Sequence, residues 1–231
     1  MHGSTRGVLF DVDGTLVDTN YLHAVTWWEA LRQVGRDVPA ARIHRAIGMG
    51  SDKLLDHLLG TDRDNELSDR VTAAHLSLYA TYADRLRALP GARDLLRTCA
   101  DRGWRVVLAS SASRDELSVL RRALDADDVI HAATSASDAG ESKPEPDILG
   151  KALEAAGVSA DRAVLVGDSV WDVIAAGRAG IPCIGVTCGG TSAAELREAG
   201  AVEVYDDPAA LGAELDRSAL AQRLDTDPTD N

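Results

Sequence analysis

The sequence predicts an α/β fold, in which a Rossmann-like, doubly wound parallel sheet carries an inserted all-helical cap. Short apolar runs such as 8–10 and 163–166 are continuous rather than alternating, which is typical of strands buried on both faces of a parallel sheet. From about residue 88 onward, such runs alternate with helical patterns. The stretch 18–87 breaks that alternation, because its apolar residues recur at helical spacing and it contains no strand-like run.

Five apolar runs predict strands, and each is followed by a polar turn. The runs are 8–10, 105–109, 163–166, 181–186 and 202–205. In an open parallel sheet, ligands bind outside the carboxyl ends of the strands. The candidate site therefore consists of the polar residues that follow three of these runs: Asp11, Asp13, Ser110, Ser111 and Asp168.

Apolar residues at three- and four-residue spacing predict the helices between these strands. Gly103, Gly157 and Gly180 follow three of the predicted helices, at the position where a left-handed residue commonly ends a helix. Ser113 and Glu116 have the spacing of a capping box at the start of another.

The predicted organisation is a core formed by residues 1–17 and 88–231, interrupted by a helical cap at 18–87. Within the cap, apolar faces at helical spacing predict helices around 24–34 and 54–59 and a long one over 66–86. Residues 217–231 are polar and acidic, and they are expected to fray.

Charge and composition narrow the function classes. The 231 residues include 24 Lys and Arg and 37 Asp and Glu, a net charge of −13. Such a surface repels nucleic acids and anionic membranes, so neither is an expected partner. No apolar run approaches the roughly 18–20 residues that span a bilayer, and the N-terminus does not resemble a signal peptide. The three cysteines form no metal or disulfide pattern, which predicts a cytoplasmic location; nothing predicts an oligomeric state.

The candidate site is rich in carboxylates. Asp11 and Asp13 are two residues apart at a strand end, so one can attack a substrate while the other acts beside it as a general acid and base. Gly14 permits the sharp turn that follows. Crowded carboxylates raise one another's pKa, and a divalent cation relieves that repulsion. Ligation by oxygen alone, from Asp side chains and carbonyl groups, suits Mg²⁺.

Four segments together resemble the motifs of the haloacid dehalogenase (HAD) superfamily. Residues 11–18 (DVDGTLVD) resemble motif I, and Ser110 after its apolar strand resembles motif II. Residues 141–147 (ESKPEPD) resemble motif III, and residues 167–172 (GDSVWD) resemble motif IV. The helical insert between motifs I and II is similar to that of the phosphoglycolate phosphatase and β-phosphoglucomutase branch.

The resemblance implies a Mg²⁺-dependent phosphatase that acts on a small phosphorylated metabolite such as phosphoglycolate or a sugar phosphate. Asp11 would be the nucleophile and form an aspartyl-phosphate. Asp13 would protonate the leaving group and then deprotonate the attacking water. Ser110 and the backbone N–H groups near Gly14 and Ser111 would hold phosphoryl oxygens.

The resemblance also implies the source of positive charge at the site. Lys143 would bind the phosphate and offset the charge of Asp11. Asp168 would bind the Mg²⁺ ion together with Asp11 and the main-chain carbonyl of Asp13. Asp172 would support the metal shell or orient Lys143. A metal ion and a lysine supply the charge that phosphoryl transfer needs and that this acidic chain otherwise lacks.

Two departures from the mutase pattern favour a phosphatase. In motif IV, mutases of this branch have the pair Glu-Asp, where this chain has Gly167 and Asp168. The mutases also carry Lys and Arg in the substrate loop of the cap, whereas the corresponding loop of this chain, 47–52, reads IGMGSD. His23 matches a hinge histidine of the mutases, so a sugar-phosphate mutase is the alternative. A non-catalytic binding module on the same fold is a further hypothesis, although no motif acid is missing. The roles of His23 and Trp171 are left open.

Overall fold

The computed structural model describes residues 5–225. Its centre is a six-stranded sheet with the strand order β3-β2-β1-β4-β5-β6, in which every neighbouring pair is parallel. The strands are β1 (Gly7–Phe10), β2 (Arg105–Ala109), β3 (Ile130–Thr134), β4 (Ala163–Gly167), β5 (Cys183–Val186) and β6 (Glu203–Tyr205). The fold class predicted from the sequence is confirmed.

Helices cover both faces of the sheet. Val8 and Phe10 of β1 belong to an apolar cluster on one face, and Leu9 belongs to the cluster on the other. Successive side chains of a strand point to opposite faces, so a continuous apolar run requires a layer of helices on each side. The first face carries α5 (Ala92–Asp101), α6 (Arg114–Leu124), α10 (Pro208–Ala213) and α11 (Ala219–Asp225); the second carries α7 (Asp147–Ala156), α8 (Val170–Ala179) and α9 (Ala193–Ala199).

Four helices lie between β1 and α5 and share an apolar cluster of their own. Trp27 and Leu31 of the first pack there with Ile43, Leu54 and Val71 of the other three. This second core lets the segment hold its shape beside the sheet instead of extending it. The helices are α1 (Asn20–Gln33), α2 (Ala40–Ala46), α3 (Ser51–Leu59) and α4 (Asn65–Ala80).

Helix α4 is shorter than the expected helix over 66–86. It ends at Ala80, where the Thr81 hydroxyl donates to the carbonyl of Leu78 at 2.7 Å, and a short 3₁₀ turn follows at Ala83–Arg85. The threonine hydroxyl satisfies a carbonyl that the next helical turn would otherwise bond. Among the described residues, no helix is both long and apolar enough to cross a membrane.

Strand β3 was not among the predicted strands. It lies at one edge of the sheet and pairs only with β2. Its sequence, IHAAT, is half-exposed over most of its length. An edge strand with one large apolar residue gives no continuous apolar run, so its pairing with β2 forms without a strong signal in its own sequence.

The expectation of fraying from residue 217 is wrong for the part of this tail that the structure describes. Helix α11 packs against the sheet, with Leu220 and Leu224 fully buried. Its first N–H group, on Ala219, donates to Glu203 Oε2 at 2.9 Å. Leucines four residues apart lie on one face of a helix, and this pair outweighs the polar residues around it. Residues 226–231 lie outside the described part of the chain.

The predicted helix ends are confirmed. Glu116 Oε2 accepts from the N–H of Ser113 at 2.9 Å, and Ser113 Oγ accepts from the N–H of Glu116 at 3.3 Å, which forms a capping box. Gly157 and Gly180 end α7 and α8 in the left-handed conformation, and Gly103 adopts it just after α5.

Candidate active site

Two acidic side chains meet where β1 and β4 end. Asp11 follows β1 and Asp168 follows β4, and these strands are hydrogen-bonded neighbours at the centre of the sheet. The Thr15 hydroxyl lies 3.2 Å from Asp11 Oδ2 and 3.2 Å from Asp168 Oδ1. The strand order reverses direction at β1, which is the position where doubly wound sheets bind ligands.

Lys143 supplies positive charge beneath these acids. Its side chain is fully buried, and Nζ donates to Asp11 Oδ1 at 2.6 Å and to the carbonyl of Ala109 at 2.9 Å. Nζ also lies 2.8 Å from Asp172 Oδ1. Burial alone would lower the pKa of Lys143, but the charges of Asp11 and Asp172 raise it, so the ammonium group stays charged.

The carboxylates themselves are crowded. Burial raises the pKa of Asp11 to about 7; Lys143 counteracts this rise, whereas the charges of Asp172 and Asp13 add to it. Burial, and then the charge of Asp11, hold the pKa of Asp168 well above its ordinary value. A carboxylate attacks only in its ionised form, so further positive charge here would increase the reactive fraction of Asp11.

The acidic cluster fits a divalent cation. Asp11, Asp168 and Asp172 each offer a carboxylate oxygen, and these atoms lie within 4.8 Å of one another. Against these three buried carboxylates stands the single ammonium group of Lys143. Buried charges need compensation, and an all-oxygen donor set suits Mg²⁺. The carboxylate of Asp13 is outside this cluster, so its expected contribution through the main-chain carbonyl stays a prediction.

Asp172 is held in place by the first turn of α8. Its Oδ2 accepts from the N–H of Ser169 at 3.1 Å and from the Ser169 hydroxyl at 2.5 Å. Its other oxygen faces Lys143. Of the two roles expected for Asp172, orienting Lys143 is therefore the one with a direct contact.

Asp13 turns towards the first cap helix. Its Oδ1 accepts from the Thr19 hydroxyl at 2.8 Å and lies 3.1 Å from His23 Nε2. Burial alone would raise the pKa of Asp13, but the hydrogen bond and charge of His23, together with Thr19, lower it. The His23 ring stacks on Tyr79 with 4.0 Å between ring centroids. The cap thus determines both the orientation and the charge of Asp13.

Gly14 allows the cap helix to approach the acids. It has a φ of +75°, and a Cβ atom there would lie 2.3 Å from Asn20 Nδ2. That amide donates to Asp168 Oδ2 at 2.6 Å and to the carbonyl of Gly189 at 3.0 Å. The first residue of α1 therefore contacts the second acid of the core through space that only glycine leaves open.

We expect Gly14→Ala to impair both stability and catalysis. The alanine would adopt a strained left-handed conformation and displace Asn20 from Asp168, and we expect the free energy of unfolding to fall by about 1–3 kcal/mol. Urea denaturation and kcat with p-nitrophenyl phosphate measure the two effects. Gly35→Ala is the matched control, since Gly35 also has a positive φ but a Cβ there meets no atom within 4 Å. Equal losses of kcat in both variants would contradict the role given to the Asn20 contact.

The two serines after β2 differ in position. Ser110 is fully buried, and its Oγ accepts from the N–H of Ala112 at 3.1 Å. Ser111 lines the cavity described below, and its hydroxyl lies 3.3 Å from the carbonyl of Gly48 in the cap. Ser111 is thus closer to a ligand than Ser110, and the phosphate-binding role of both stays a prediction.

The cap is closed on the core in this structure. The Trp171 indole N–H donates to the carbonyl of Arg45 at 2.9 Å, and its ring meets His57 edge-on. Asp52 of α3 accepts from the Ser142 hydroxyl at 2.6 Å. Trp171 therefore belongs to the contact between cap and core, beside the site.

A cavity of about 200 Å³ lies between the core and the cap. It is smaller than the roughly 300–1,000 Å³ pockets that hold drug-sized ligands, so it suits a small metabolite. Asp11 and Asp13 lie on its wall, whereas Lys143 and Ser110 lie behind it. The cap contributes residues from α1, α3 and α4 and from the loop before α3, among them His23, Trp27, Met49, Asp52, Leu54 and His75.

Three polar contacts of the site were not predicted. Thr15 lies within the first motif, and its position four residues after Asp11 is the only sequence signal for its contact with that acid. Asn20 contacts an acid 148 positions away, which no local pattern predicts. His75 lies in α4, and only the docking of the cap brings it to the cavity.

Comparison with known protein families shows which family has this sequence pattern. The model for haloacid dehalogenase-like hydrolases matches residues 5–180. The chain belongs to this family. The HAD assignment made from the four motifs is therefore confirmed, and the motif acids lie at the strand ends where the resemblance requires them.

Individual relatives of this HAD protein agree. It is 33% identical to a phosphoglycolate phosphatase from Rhodospirillum rubrum, over 90% of this chain and 89% of that one. A crystal structure of a hydrolase from Pseudomonas syringae has a TM-score of 0.88 and 33% identity, covering 93% of this chain and all of the other. A β-phosphoglucomutase from Clostridium difficile, at 21% identity and a TM-score of 0.81 over 96% of this chain and 100% of that one, shares the fold. Family and relatives together identify this chain as a phosphatase enzyme.

Proposed function

We propose that this HAD phosphatase hydrolyses a small organic phosphomonoester through an aspartyl-phosphate on Asp11, with Mg²⁺ as cofactor. The observation that carries the proposal is the position of Asp11. It lies on the wall of the cavity between cap and core, with Lys143 at 2.6 Å behind it, and Asp13 also lines this cavity. A nucleophile, a cation and a second acid are thus within reach of one bound phosphate.

The reaction has two steps. A carboxylate oxygen of Asp11 forms a bond to phosphorus as the bond from phosphorus to the ester oxygen breaks, and the leaving alkoxide takes a proton from Asp13. The negative charge of the bound phosphate favours the protonated form of Asp13 and so opposes the effect of His23 on its pKa. In the second step Asp13 takes a proton from a water molecule that attacks the same phosphorus. The bond between Asp11 and phosphorus breaks, which releases inorganic phosphate and restores both aspartates.

The remaining residues position these groups. Lys143 favours the ionised form of Asp11, and Asp172 keeps Lys143 in place. Asp11, Asp168 and Asp172 would hold the Mg²⁺ ion, assisted by the main-chain carbonyl of Asp13. When bound, the ion supplies positive charge that lets an anionic carboxylate approach an anionic phosphate. The closed cap excludes bulk water from the cavity during the first step.

A chelator tests the metal requirement. We expect EDTA to reduce phosphate release from p-nitrophenyl phosphate to background, and added Mg²⁺ to restore it. We also expect Mg²⁺ to raise the urea midpoint of the chelated protein, because a ligand that binds only the folded state stabilises it. Asp168→Asn should abolish that shift, while Asp161→Asn should keep it, because Asp161 lies just before β4, at the opposite end of that strand from Asp168. Full activity in EDTA would refute the metal requirement.

One observation favours the mutase alternative, namely the 3.1 Å contact between His23 and Asp13. A mutase would interconvert glucose 1-phosphate and glucose 6-phosphate and would need a bisphosphate primer. We expect inorganic phosphate instead as the product from either sugar phosphate, with or without primer. Phosphate release and sugar-phosphate chromatography on the same sample distinguish the two reactions.

A further inference from the structure

The part of the cavity formed by the cap and by α6 offers mainly hydrogen-bond acceptors. Asp52 and Glu116 are its acids beyond Asp11 and Asp13, and His75 lies on the same wall. Among the described residues that line the cavity there is no Lys or Arg. Lys53, which follows Asp52 in α3, is paired with Glu141 at 2.6 Å. A second negative charge on a substrate would therefore find no cationic side chain here.

The hydrogen bonds of His75 indicate an acceptor. The Thr26 hydroxyl donates to the carbonyl of Leu22 at 2.8 Å and lies 3.0 Å from His75 Nδ1; because its one proton is used on the carbonyl, we assign the proton of His75 to Nδ1. With the proton on Nδ1, Nε2 of the neutral ring is an acceptor. Burial lowers the pKa of His75 to about 2, which keeps the ring neutral. The ring is fixed by stacking on Trp27 with 4.0 Å between centroids.

The two carboxylates are also fixed. Glu116 Oε2 accepts from the Ser113 N–H at 2.9 Å and from its hydroxyl at 2.7 Å, so this side chain cannot turn away without breaking the capping box. Asp52 lies in the first turn of α3, whose N-terminus faces the cavity. That helix end would attract an anion, but the carboxylate of Asp52 already compensates it.

We propose that the alcohol released by this enzyme is hydroxylated and carries no negative charge, as is true of a sugar or polyol, and that substrates with a second anionic group are selected against. Hydroxyl protons can be donated to His75, Asp52 and Glu116, whereas a carboxylate or second phosphate offers only acceptors and negative charge. The hydroxyls of Ser51 and Thr72, which also line the cavity, can bond to either kind of group but carry no charge. This inference rests on the proposed phosphatase activity and names its substrate class.

Three phosphomonoesters of the same length test the proposal. The leaving group of phosphoglycolate is anionic, that of 2-hydroxyethyl phosphate is neutral, and that of phosphoethanolamine is cationic. We expect kcat/KM for phosphoglycolate to be at least about tenfold lower than for 2-hydroxyethyl phosphate and for phosphoethanolamine, because a like charge within a few ångströms disfavours binding. A kcat/KM for phosphoglycolate equal to or above that for 2-hydroxyethyl phosphate would overturn the proposal.

Charge-removing variants show whether the two acids cause the selection. Glu116→Gln and Asp52→Asn keep the size of each side chain, and we expect each to shift the ratio of kcat/KM towards phosphoglycolate several-fold. Asp115→Asn is the matched control, because it removes an exposed charge next to Glu116 that does not line the cavity, and it should leave the ratio as it is. A similar shift in all three would refute the local cause. If the unmodified protein does not hydrolyse p-nitrophenyl phosphate, the phosphatase mechanism itself is refuted, and not only the selection among substrates.

Discussion

Asp11→Asn is expected to reduce kcat by at least about a thousandfold with p-nitrophenyl phosphate, equivalent to roughly 4 kcal/mol of transition-state stabilisation. The amide cannot form the bond to phosphorus, and it also presents no negative charge to Lys143, which lies 2.6 Å away. Phosphate release under saturating Mg²⁺ measures the loss. Acid quenching of the unmodified protein during turnover, followed by peptide mass analysis, should find one phosphoryl group on the peptide that contains Asp11.

The control for this variant is Asp101→Asn. Asp101 is an exposed acid at the end of α5, just before β2 begins. It therefore lies near the amino ends of the strands, whereas Asp11 lies at their carboxyl ends. We expect its kcat to equal that of the unmodified protein. Circular dichroism and urea denaturation establish that Asp11→Asn is folded. Substantial turnover in a folded Asp11→Asn protein, or a phosphoryl group on another peptide, would refute the assignment of the nucleophile.

Lys143→Met is expected to be the most destabilising of these changes. It leaves Asp11 and Asp172 buried without their common cation, and breaking a buried pair in this way costs about 3–5 kcal/mol. We expect a corresponding drop in the free energy of unfolding, measured with urea in EDTA at neutral pH. We also expect no detectable turnover, since Asp11 loses the charge that favours its ionised form.

The stability of the Lys143→Met variant should depend on pH in a predictable direction. Without the lysine the pKa of buried Asp11 rises further in the folded state, so the folded protein binds more protons than the unfolded protein above the ordinary carboxyl pKa. Stability then falls as pH increases from about 4 towards 7. Because the pKa of Asp11 in the unmodified protein is already about 7, the two proteins share this slope below pH 7, and the difference between them should grow as pH rises above about 7. Lys53→Met is the matched control: its ion pair with Glu141 is partly exposed, so the change should cost less than about 1 kcal/mol at any of these pH values.

Much of the fold could be predicted because burial on two faces leaves a continuous apolar run. The strands that precede Asp11, Ser110 and Asp168 are of this kind. The elements that the sequence did not predict, β3 and α11, lie at the margins of the core. Each contains few large apolar residues, and each is stabilised by contacts with distant segments, as Ala219 with Glu203.

The residues of the site also fall into two groups, those that local sequence could predict and those that depend on distant contacts. The segments that carry Asp11, Asp168 and Lys143 could be located because a strand end or a recognisable motif marks each one. Asn20 and His75 could not, because their roles depend on how the cap docks on the core. That docking is determined by contacts such as Trp171 with Arg45, which involve residues far apart in sequence.

The two chain segments that join the cap to the core run side by side. Val17 pairs with Ala88 in antiparallel fashion, and the N–H of Leu89 donates to the carbonyl of Leu16 at 2.8 Å. The chain therefore leaves the sheet and returns to it at one place. We infer that this insert behaves as a cassette: a short turn could close the gap, or a foreign segment could fill it, without moving β1. New substrate preferences can thus evolve in the later part of the cassette, whereas its first residues, Thr19, Asn20 and His23, contact Asp13 and Asp168 and so belong to the chemistry at phosphorus.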